Sequence, residues 1–242
     1  MPTLSEAIEQ ANYCVVFSGA GISTLSGIRD FRGKDGIYKV ADADKIFDIH
    51  YFRTHPEYYY KNTKEFIYNL DEREASLVHL ECARLEQLGY IKSVITQNID
   101  LLHQKAGSKR VIEVHGSPTI HYCIQCGAQY PFETIAKIVK QDEIPTCKKC
   151  DGIIKPAITF FGEQLPEEAV RDAIDEASKA DLMLVLGSSL VVQPAASFPI
   201  YTIRNGGKLA IVNEGATPLD DMASHRSSDL QTAFLEIQQC IQ

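Results

Sequence analysis

Tyr13-Cys14-Val15-Val16-Phe17-Ser18-Gly19-Ala20-Gly21-Ile22-Ser23-Thr24 opens as an unbroken apolar run and closes on two glycines one residue apart. A continuous run, rather than an alternating one, is the pattern of a parallel strand covered on both faces. Glycines at a strand-to-helix turn let backbone N–H groups approach a phosphate, and the start of the following helix favours its negative charge. The spacing is not Gly-x-Gly-x-x-Gly, and a tight turn without any ligand would use the same residues.

Outward from this stretch the same alternation continues. Apolar runs recur at Ile91–Thr96, Leu182–Leu186 and Leu209–Val212, with helical patterns around them. Thr3 and Glu6 have capping-box spacing, followed by Leu4, Ala7, Ile8 and Ala11 on one face. A second helix runs from Leu77 to Leu88 and stops at Gly89, and Pro166 opens a third with Ala169, Val170, Ala173, Ile174 and Ala177 aligned. The last helix presents Leu230, Phe234, Ile237 and Ile241. Buried strands alternating with amphipathic helices predict an α/β fold with a Rossmann-like open parallel sheet. Two stretches break the pattern. Residues 34–71, rich in aromatics and charge, predict loops and short helices, and 119–156 carry paired cysteines. The expected division is a Rossmann-like domain of 1–33, 72–118 and 157–242, with 34–71 and 119–156 forming a smaller lobe.

The 242 residues suffice for one large domain bearing a small insertion, and 45% hydrophobic with 23% charged residues is ordinary for a soluble protein. No apolar run is long enough to span a membrane, and the N-terminus lacks a basic-then-apolar leader, so a cytoplasmic protein without membrane association is expected. The formal net charge of −8 and the lack of a dense Lys/Arg cluster speak against direct nucleic-acid binding. Acidity would also favour lysine-rich partners at long range, although it serves solubility equally well.

Of seven cysteines, Cys14, Cys82 and Cys240 stand alone, the first two in apolar-periodic segments that predict burial. Cys123-x2-Cys126 and Cys147-x2-Cys150, twenty residues apart, have the spacing of a four-thiolate zinc site. Such a site is closed to water, hence structural. A redox dithiol and a zinc-ribbon nucleic-acid binder are the alternatives, the latter disfavoured by the acidic chain. Thr96-Gln97-Asn98-Ile99-Asp100 ends an apolar strand, where ligands of open α/β sheets bind. Amide and carboxylate groups there suit a ribose and a carboxamide. His115-Gly116 follows shortly after, and an imidazole with a pKa of about 6.5 suits a general base. A merely structural histidine fits that position as well.

These motifs occur in a telling order. Gly19-Ala20-Gly21-Ile22-Ser23, Asp30-Phe31-Arg32-Gly33, Thr96–Asp100, His115-Gly116, the four cysteines, Phe160-Phe161-Gly162-Glu163, Gly187-Ser188-Ser189-Leu190 and Ile211-Val212-Asn213 follow one another from about residue 12 to 215. The ordered set resembles the sirtuin (Sir2-like) family, in particular its compact bacterial NAD-dependent protein deacetylases.

The resemblance implies NAD as a consumed co-substrate, one structural zinc, and acetyl-lysine proteins or peptides as substrates of a monomeric enzyme. In the family NAD lies between the two lobes. Gly19, Ala20, Gly21, Thr24, Asp30, Phe31 and Arg32 would form its wrapping turn and loop. Gln97, Asn98, Ile99 and Asp100 would line the nicotinamide and its ribose, Asp100 receiving the carboxamide. Gly187, Ser188 and Ser189 would contact phosphate and ribose, Asn213 and Glu214 the adenosine ribose, and a residue near Asp229 the adenine. His115 and Asn98 are the catalytic candidates, His115 as base. In the family's reaction the acetyl oxygen attacks C1′ as nicotinamide leaves, and the ribose 2′-oxygen then takes the acetyl group. The peptide would add as a strand between Phe161-Gly162-Glu163 and Leu190-Val191-Val192, with Thr159, Phe161 and Val191 around the acyl-lysine.

Two positions depart from the family. Arg29 stands where Pro is usual, freeing φ in the loop, and Thr159 stands where an aliphatic residue is usual. No tyrosine between residues 45 and 75 is followed three positions later by Arg, the family's device for acidic acyl groups, so short uncharged acyl groups are expected. A protein mono-ADP-ribosyltransferase would use the same NAD pocket. A non-catalytic NAD-sensing or zinc-ribbon module would not need His115, and a dehydrogenase would need the absent Gly-x-Gly-x-x-Gly.

Overall fold

A computed structural model of the chain describes residues 3–30 and 45–242. Phe31 and Arg32, expected to wrap NAD, lie outside the described residues. The strands are β1 (Cys14–Ser18), β2 (Ile91–Thr96), β3 (Val111–Glu113), β4 (Gly116–Cys123), β5 (Gln129–Pro131), β6 (Ile154–Ile158), β7 (Leu182–Leu186), β8 (Lys208–Val212) and β9 (His225–Ser227). Six of them form one parallel sheet in the order β3-β2-β1-β7-β8-β9. This is the order of a doubly wound dinucleotide-binding fold, which reverses direction between β1 and β7. The remaining three form an antiparallel sheet in the order β5-β4-β6.

Contacts divide the chain into two compact units. The first comprises Met1–Gly27, Glu74–Val114 and Glu167–Gln242, and the second Ile28–Arg73 and His115–Pro166.

In the first unit, β1 and β7, the two central strands of the sheet, are buried at every residue. One core cluster joins Val16, Val94, Leu184 and Val212 of the sheet to Ile8, Val78, Leu85, Phe234 and Ile237 of the helices. The helix Leu4–Gln10 starts at the expected box, with the Glu6 N–H donating to Thr3 Oγ1 at 3.2 Å and the Thr3 N–H to Glu6 Oε2 at 2.7 Å. The helix Leu77–Gln87 ends before Gly89, whose φ of 84° is the left-handed conformation that suits glycine. Glu176 is buried, accepting from the Tyr13 hydroxyl at 3.0 Å, Ser93 Oγ at 2.7 Å and Arg110 Nη2 at 2.8 Å. The edge strands β3 and β9 leave no apolar run in the sequence, since each is only three residues long and β9, His225-Arg226-Ser227, is polar throughout.

The second unit is held by rings. Phe160 is buried against Phe47, Phe52 and Tyr59, with centroids 5.7, 5.2 and 5.1 Å away. The Tyr60 hydroxyl donates to Ile154 O at 2.7 Å, and Tyr68 Oη is 2.9 Å from His121 Nε2. The helix Phe132–Lys140 packs its Ile135, Ala136 and Val139 inward. Burial holds His121 neutral, at a pKa of about 3, with the nearby Lys155 charge adding to the effect. Among the described residues no helix is long and apolar enough to cross a membrane.

Candidate active site

Chain topology places the chemistry of the first unit where the sheet reverses. The Gly19 N–H donates to Leu186 O and the Gly21 N–H to Gly187 O, both at 2.9 Å, so the turn after β1 is stitched to the end of β7. This close approach requires glycine. A Cβ on Gly21 would lie 2.7 Å from Gly187 Cα, and one on Gly187, whose φ is 60°, would lie 2.5 Å from Ile22 N.

Behind the turn lies a buried polar network. Asn98 Nδ2 donates to Gly19 O at 3.1 Å and to Ser23 Oγ at 3.2 Å, while the Ser23 hydroxyl donates to Asp100 Oδ2 at 2.5 Å. Asp100 Oδ1 accepts from the Leu102 N–H at 3.0 Å. Burial raises the Asp100 pKa above the ordinary carboxylate value, and the Ser23 and Leu102 donors oppose it. Deeper still, the Ser18 hydroxyl donates to Thr96 Oγ1 at 2.8 Å and lies 2.9 Å from His103 Nε2. Thr96 Oγ1 also accepts the Asn98 N–H at 3.1 Å, which fixes the strand end. Burial holds His103 neutral, with the neighbouring His79 adding to the effect. Ser23, Ser18, Thr96 and His103 thus orient the expected Asn98 and Asp100. Ser18 and Thr96 are polar ends of apolar strands and Ser23 closes the Gly19–Ser23 motif, whereas His103, in the helix Leu102–Ala106, leaves no signal in the sequence.

The other expected residues of this unit are placed as follows. Gln97 Nε2 donates to Ser188 Oγ at 2.8 Å. Thr24 Oγ1 donates to Gly21 O at 2.8 Å, and Ala20 lies in the same turn. Ile99 and Ser189 are half-buried, and Val191 is exposed. Asn213 Nδ2 donates to Gly215 O at 2.8 Å, and Glu214 is exposed. Asp229 is the N-cap of the helix Leu230–Cys240, its carboxylate accepting the Thr232 N–H at 3.0 Å and the Thr232 hydroxyl at 2.8 Å. Those bonds also hold its pKa below the usual carboxylate value.

In the second unit the thiols of Cys123, Cys126, Cys147 and Cys150 all lie within 4.8 Å of one another. The Cys123–Cys150 and Cys126–Cys147 sulfurs are 3.5 Å apart, far beyond the about 2.05 Å of a disulfide. Zn–S bonds of about 2.3 Å make a tetrahedron with S–S edges of about 3.8 Å. The four donors therefore fit one zinc ion and leave no open position. The Tyr130 hydroxyl donates to Cys147 Sγ at 3.2 Å, so one of the four sulfurs already has a hydrogen-bond partner outside the cluster.

The same unit holds the expected substrate residues Thr159, Phe161, Gly162 and Glu163, whereas Val191 belongs to the first unit. The Thr159 N–H donates to His115 O at 2.7 Å, the Phe161 N–H to Phe47 O at 2.7 Å, and the Ile49 N–H to Phe161 O at 3.1 Å. Phe161 is 45% exposed, and Gly162, at φ 92°, turns the chain beyond it. Asp30 and His115 are half-buried, and Glu163 bonds within the segment. Gly116, at φ 74°, starts β4 beside His115.

Amide, carboxylate and hydroxyl groups in a fixed array at the strand ends offer the donors and acceptors that a ribose diol and a carboxamide require. The sequence pattern of the Sir2 family matches residues 19–194. An NAD-dependent protein deacetylase of Thermotoga maritima is 49% identical over 224 residues, 93% of this chain and 91% of that one. NAD-dependent protein deacylase 2 of Archaeoglobus fulgidus is 41% identical over 217 residues, 89% of this chain and 85% of that one. A solved Sir2 with deacetylated p53 peptide and 3′-O-acetyl-ADP-ribose superposes with a TM-score of 0.91 at 46% identity, covering 98% of this chain and 95% of that one. A Sir2 with p53 peptide and NAD+ gives 0.89 at 45% identity, covering 96% and 95%.

Proposed function

The chain belongs to the Sir2 family, and we propose that it removes acetyl groups from protein lysines at the expense of NAD, releasing free lysine, nicotinamide and O-acetyl-ADP-ribose. The observation that carries this reading is the Gly19–Asn98–Ser23–Asp100 network at the reversal point of the parallel sheet. NAD supplies an activated C1′ carbon with nicotinamide as leaving group.

The residues divide the remaining work. Asn98 is held by both its amide hydrogens, which would leave its Oδ1 as an acceptor of fixed direction for a ribose hydroxyl. Asp100, locked by Ser23 and the Leu102 N–H, keeps lone pairs for a carboxamide N–H. The backbone turn of Gly19, Ala20 and Gly21 with Gly187, Ser188 and Ser189 holds phosphate and ribose, helped by Thr24 and Gln97, with Ile99 beside them. Asn213 and Glu214 serve the adenosine ribose, and Asp30, Phe31 and Arg32 the wrapping loop. Asp229 has spent its carboxylate on the helix cap, so an adenine at that position would meet its backbone and not its charge. His115 is the base that takes a proton from a ribose hydroxyl, a role suited to an imidazole near neutral pH. Thr159, Phe161, Gly162, Glu163 and Val191 bind the acetyl-lysine peptide through backbone edge bonds and an apolar lining, which makes sequence preference loose. Zinc, bound by the four cysteines, holds the second unit and enters no chemical step. The enzyme acts as a cytoplasmic monomer on acetylated proteins, without binding nucleic acid or membrane.

The test follows an acetyl-lysine peptide by mass spectrometry, with and without NAD, for wild type and His115→Ala. Loss of the acetyl group only with NAD, and a fall in rate of roughly 10²–10⁴-fold in the variant, is expected for removal of a general base. Unchanged turnover in His115→Ala would remove the base from the account. NAD consumption that leaves ADP-ribose on protein would instead make the chain a transferase.

A further inference from the structure

Lys155, near the start of β6, is the one lysine or arginine that is buried among the described residues, 1% exposed. Its ammonium donates to Ile158 O at 2.6 Å and Pro156 O at 3.2 Å, and stands 2.9 Å from Glu163 Oε2. It also lies 4.1 Å from the centroid of the Phe160 ring. The three donors of an ammonium are thereby all engaged, and the aromatic face supplies a fourth attraction.

The partner carboxylate has a second task. Glu163 Oε2 accepts the Phe160 N–H at 2.8 Å, and the Glu163 N–H donates to Phe160 O at 3.0 Å. One charge therefore closes a ring, running from the end of β6 through Glu163 to the backbone of Phe160. The backbone inside that ring is Thr159–Glu163, the segment proposed to bind the acetyl-lysine peptide. A buried ion pair is a poor way to gain stability, since desolvation offsets most of the attraction. An apolar side chain in the aromatic core of this unit would serve folding as well. Burial also lowers the Lys155 pKa, and Glu163 opposes that shift.

We propose that Lys155 is a positioning residue for the substrate peptide: its ammonium, acting through Glu163 and the Phe160 N–H, fixes the Thr159–Glu163 backbone on which the acetyl-lysine peptide docks. The inference rests on the deacetylase reading above. It predicts a specific pattern, in which the peptide depends on Lys155 and NAD does not.

The experiment uses the zinc-loaded full chain and varies acetyl-lysine peptide and NAD independently, for wild type, Lys155→Met, Lys155→Arg and Glu163→Gln. Lys155→Met keeps the apolar stem and removes the charge. Its KM for peptide should rise roughly tenfold, the scale of one ordered charged hydrogen bond. Its KM for NAD should stay within about twofold of wild type, since that ligand's residues are untouched. Lys155→Arg, which restores the cation, should recover most of the loss. Glu163→Gln keeps an acceptor for the Phe160 N–H but not the charge, and should fall between. An unchanged peptide KM in Lys155→Met, or equal rises for peptide and NAD, would overturn the proposal. Should Lys155→Met lose its zinc or its cooperative unfolding, Lys155→Arg and Glu163→Gln decide by the same two KM values. A wild type that leaves the peptide acetylated would instead overturn the deacetylase reading, and this inference with it.

Discussion

Gly21→Ala separates crowding from backbone strain. An alanine methyl there would lie 2.7 Å from Gly187 Cα and 2.8 Å from Gly187 O. Carbon atoms attract best at about 3.5–4.0 Å, so both contacts are strongly repulsive. Both neighbours are backbone atoms, and no rotamer change relieves them. Gly21 is not among the residues of positive φ, so the alanine pays no conformational penalty of its own. Room is made only if the turn after β1 parts from the end of β7, which breaks the 2.9 Å bond from the Gly21 N–H to Gly187 O. Overpacking costs about 1–3 kcal/mol and the lost bond about 1 kcal/mol, together about 2–4 kcal/mol. For a chain of this length each kcal/mol lowers Tm by about 2–4 °C, so a fall of roughly 5–15 °C is expected.

Gly89→Ala is the opposite case. Its Cβ would meet nothing within 4 Å, but its φ is 84°. Only the left-handed penalty applies, about 1 kcal/mol, and hence a fall in Tm of about 2–4 °C. Thermal unfolding followed by far-ultraviolet circular dichroism compares the two variants with wild type. Gly21→Ala should also weaken NAD binding in calorimetry, and Gly89→Ala should not. A Gly21→Ala protein at least as stable as Gly89→Ala would refute the claim that the two backbones meet where the sheet reverses.

Further outcomes follow from the zinc site and from buried histidines. Cys147→Ser, or wild type treated with a strong chelator, should lose its zinc and its deacetylation, measured by elemental analysis and peptide assay; stoichiometric zinc with full activity would end the four-thiolate assignment. His79 and His121 are buried neutral, held by desolvation at about 4 and about 3, below the about 6.5 of an unfolded chain. The unfolded chain therefore binds protons that the native one refuses as pH falls below 6.5. Stability is full above that value and drops toward pH 4, by up to about 1.4 kcal/mol per pH unit for each histidine. Asp100, whose pKa is raised by burial, runs the other way and softens the lower end of this slope. Urea unfolding at pH 7, 6 and 5 reads the slope, and a stability that is flat or rises on acidification would contradict it.

The parallel sheet was legible because its central strands are buried and leave continuous apolar runs at Cys14–Phe17 and Leu182–Leu186, whereas Ile91–Thr96 is interrupted by Lys92 and Ser93. Its edge strands were not, since Val111–Glu113 and His225–Ser227 are short and only partly buried. The four cysteines announced their cluster by spacing, but the antiparallel sheet around them did not. Its strand β4 mixes exposed and buried residues without a clean alternation, and β5 is three residues long with none buried. At the candidate site the residues of the family motifs were legible, Ser23 and Thr96 among them, but the role of Ser23, Thr96, Ser18 and His103 in orienting the others was not. Ser23 and His103 act only after folding brings residues about 80 positions apart into contact, as Ser23 with Asp100 and Ser18 with His103. Lys155 carried no signal, because a lysine in sequence reads as solvated until its surroundings are known.

The stoichiometry of a single reaction tests the account most directly. Nicotinamide, deacetylated peptide and O-acetyl-ADP-ribose are quantified together by liquid chromatography and mass spectrometry over one time course. The account predicts that all three rise at the same rate and that none rises without NAD. Nicotinamide released without a matching loss of acetyl groups, or acetyl groups lost without NAD, would contradict it.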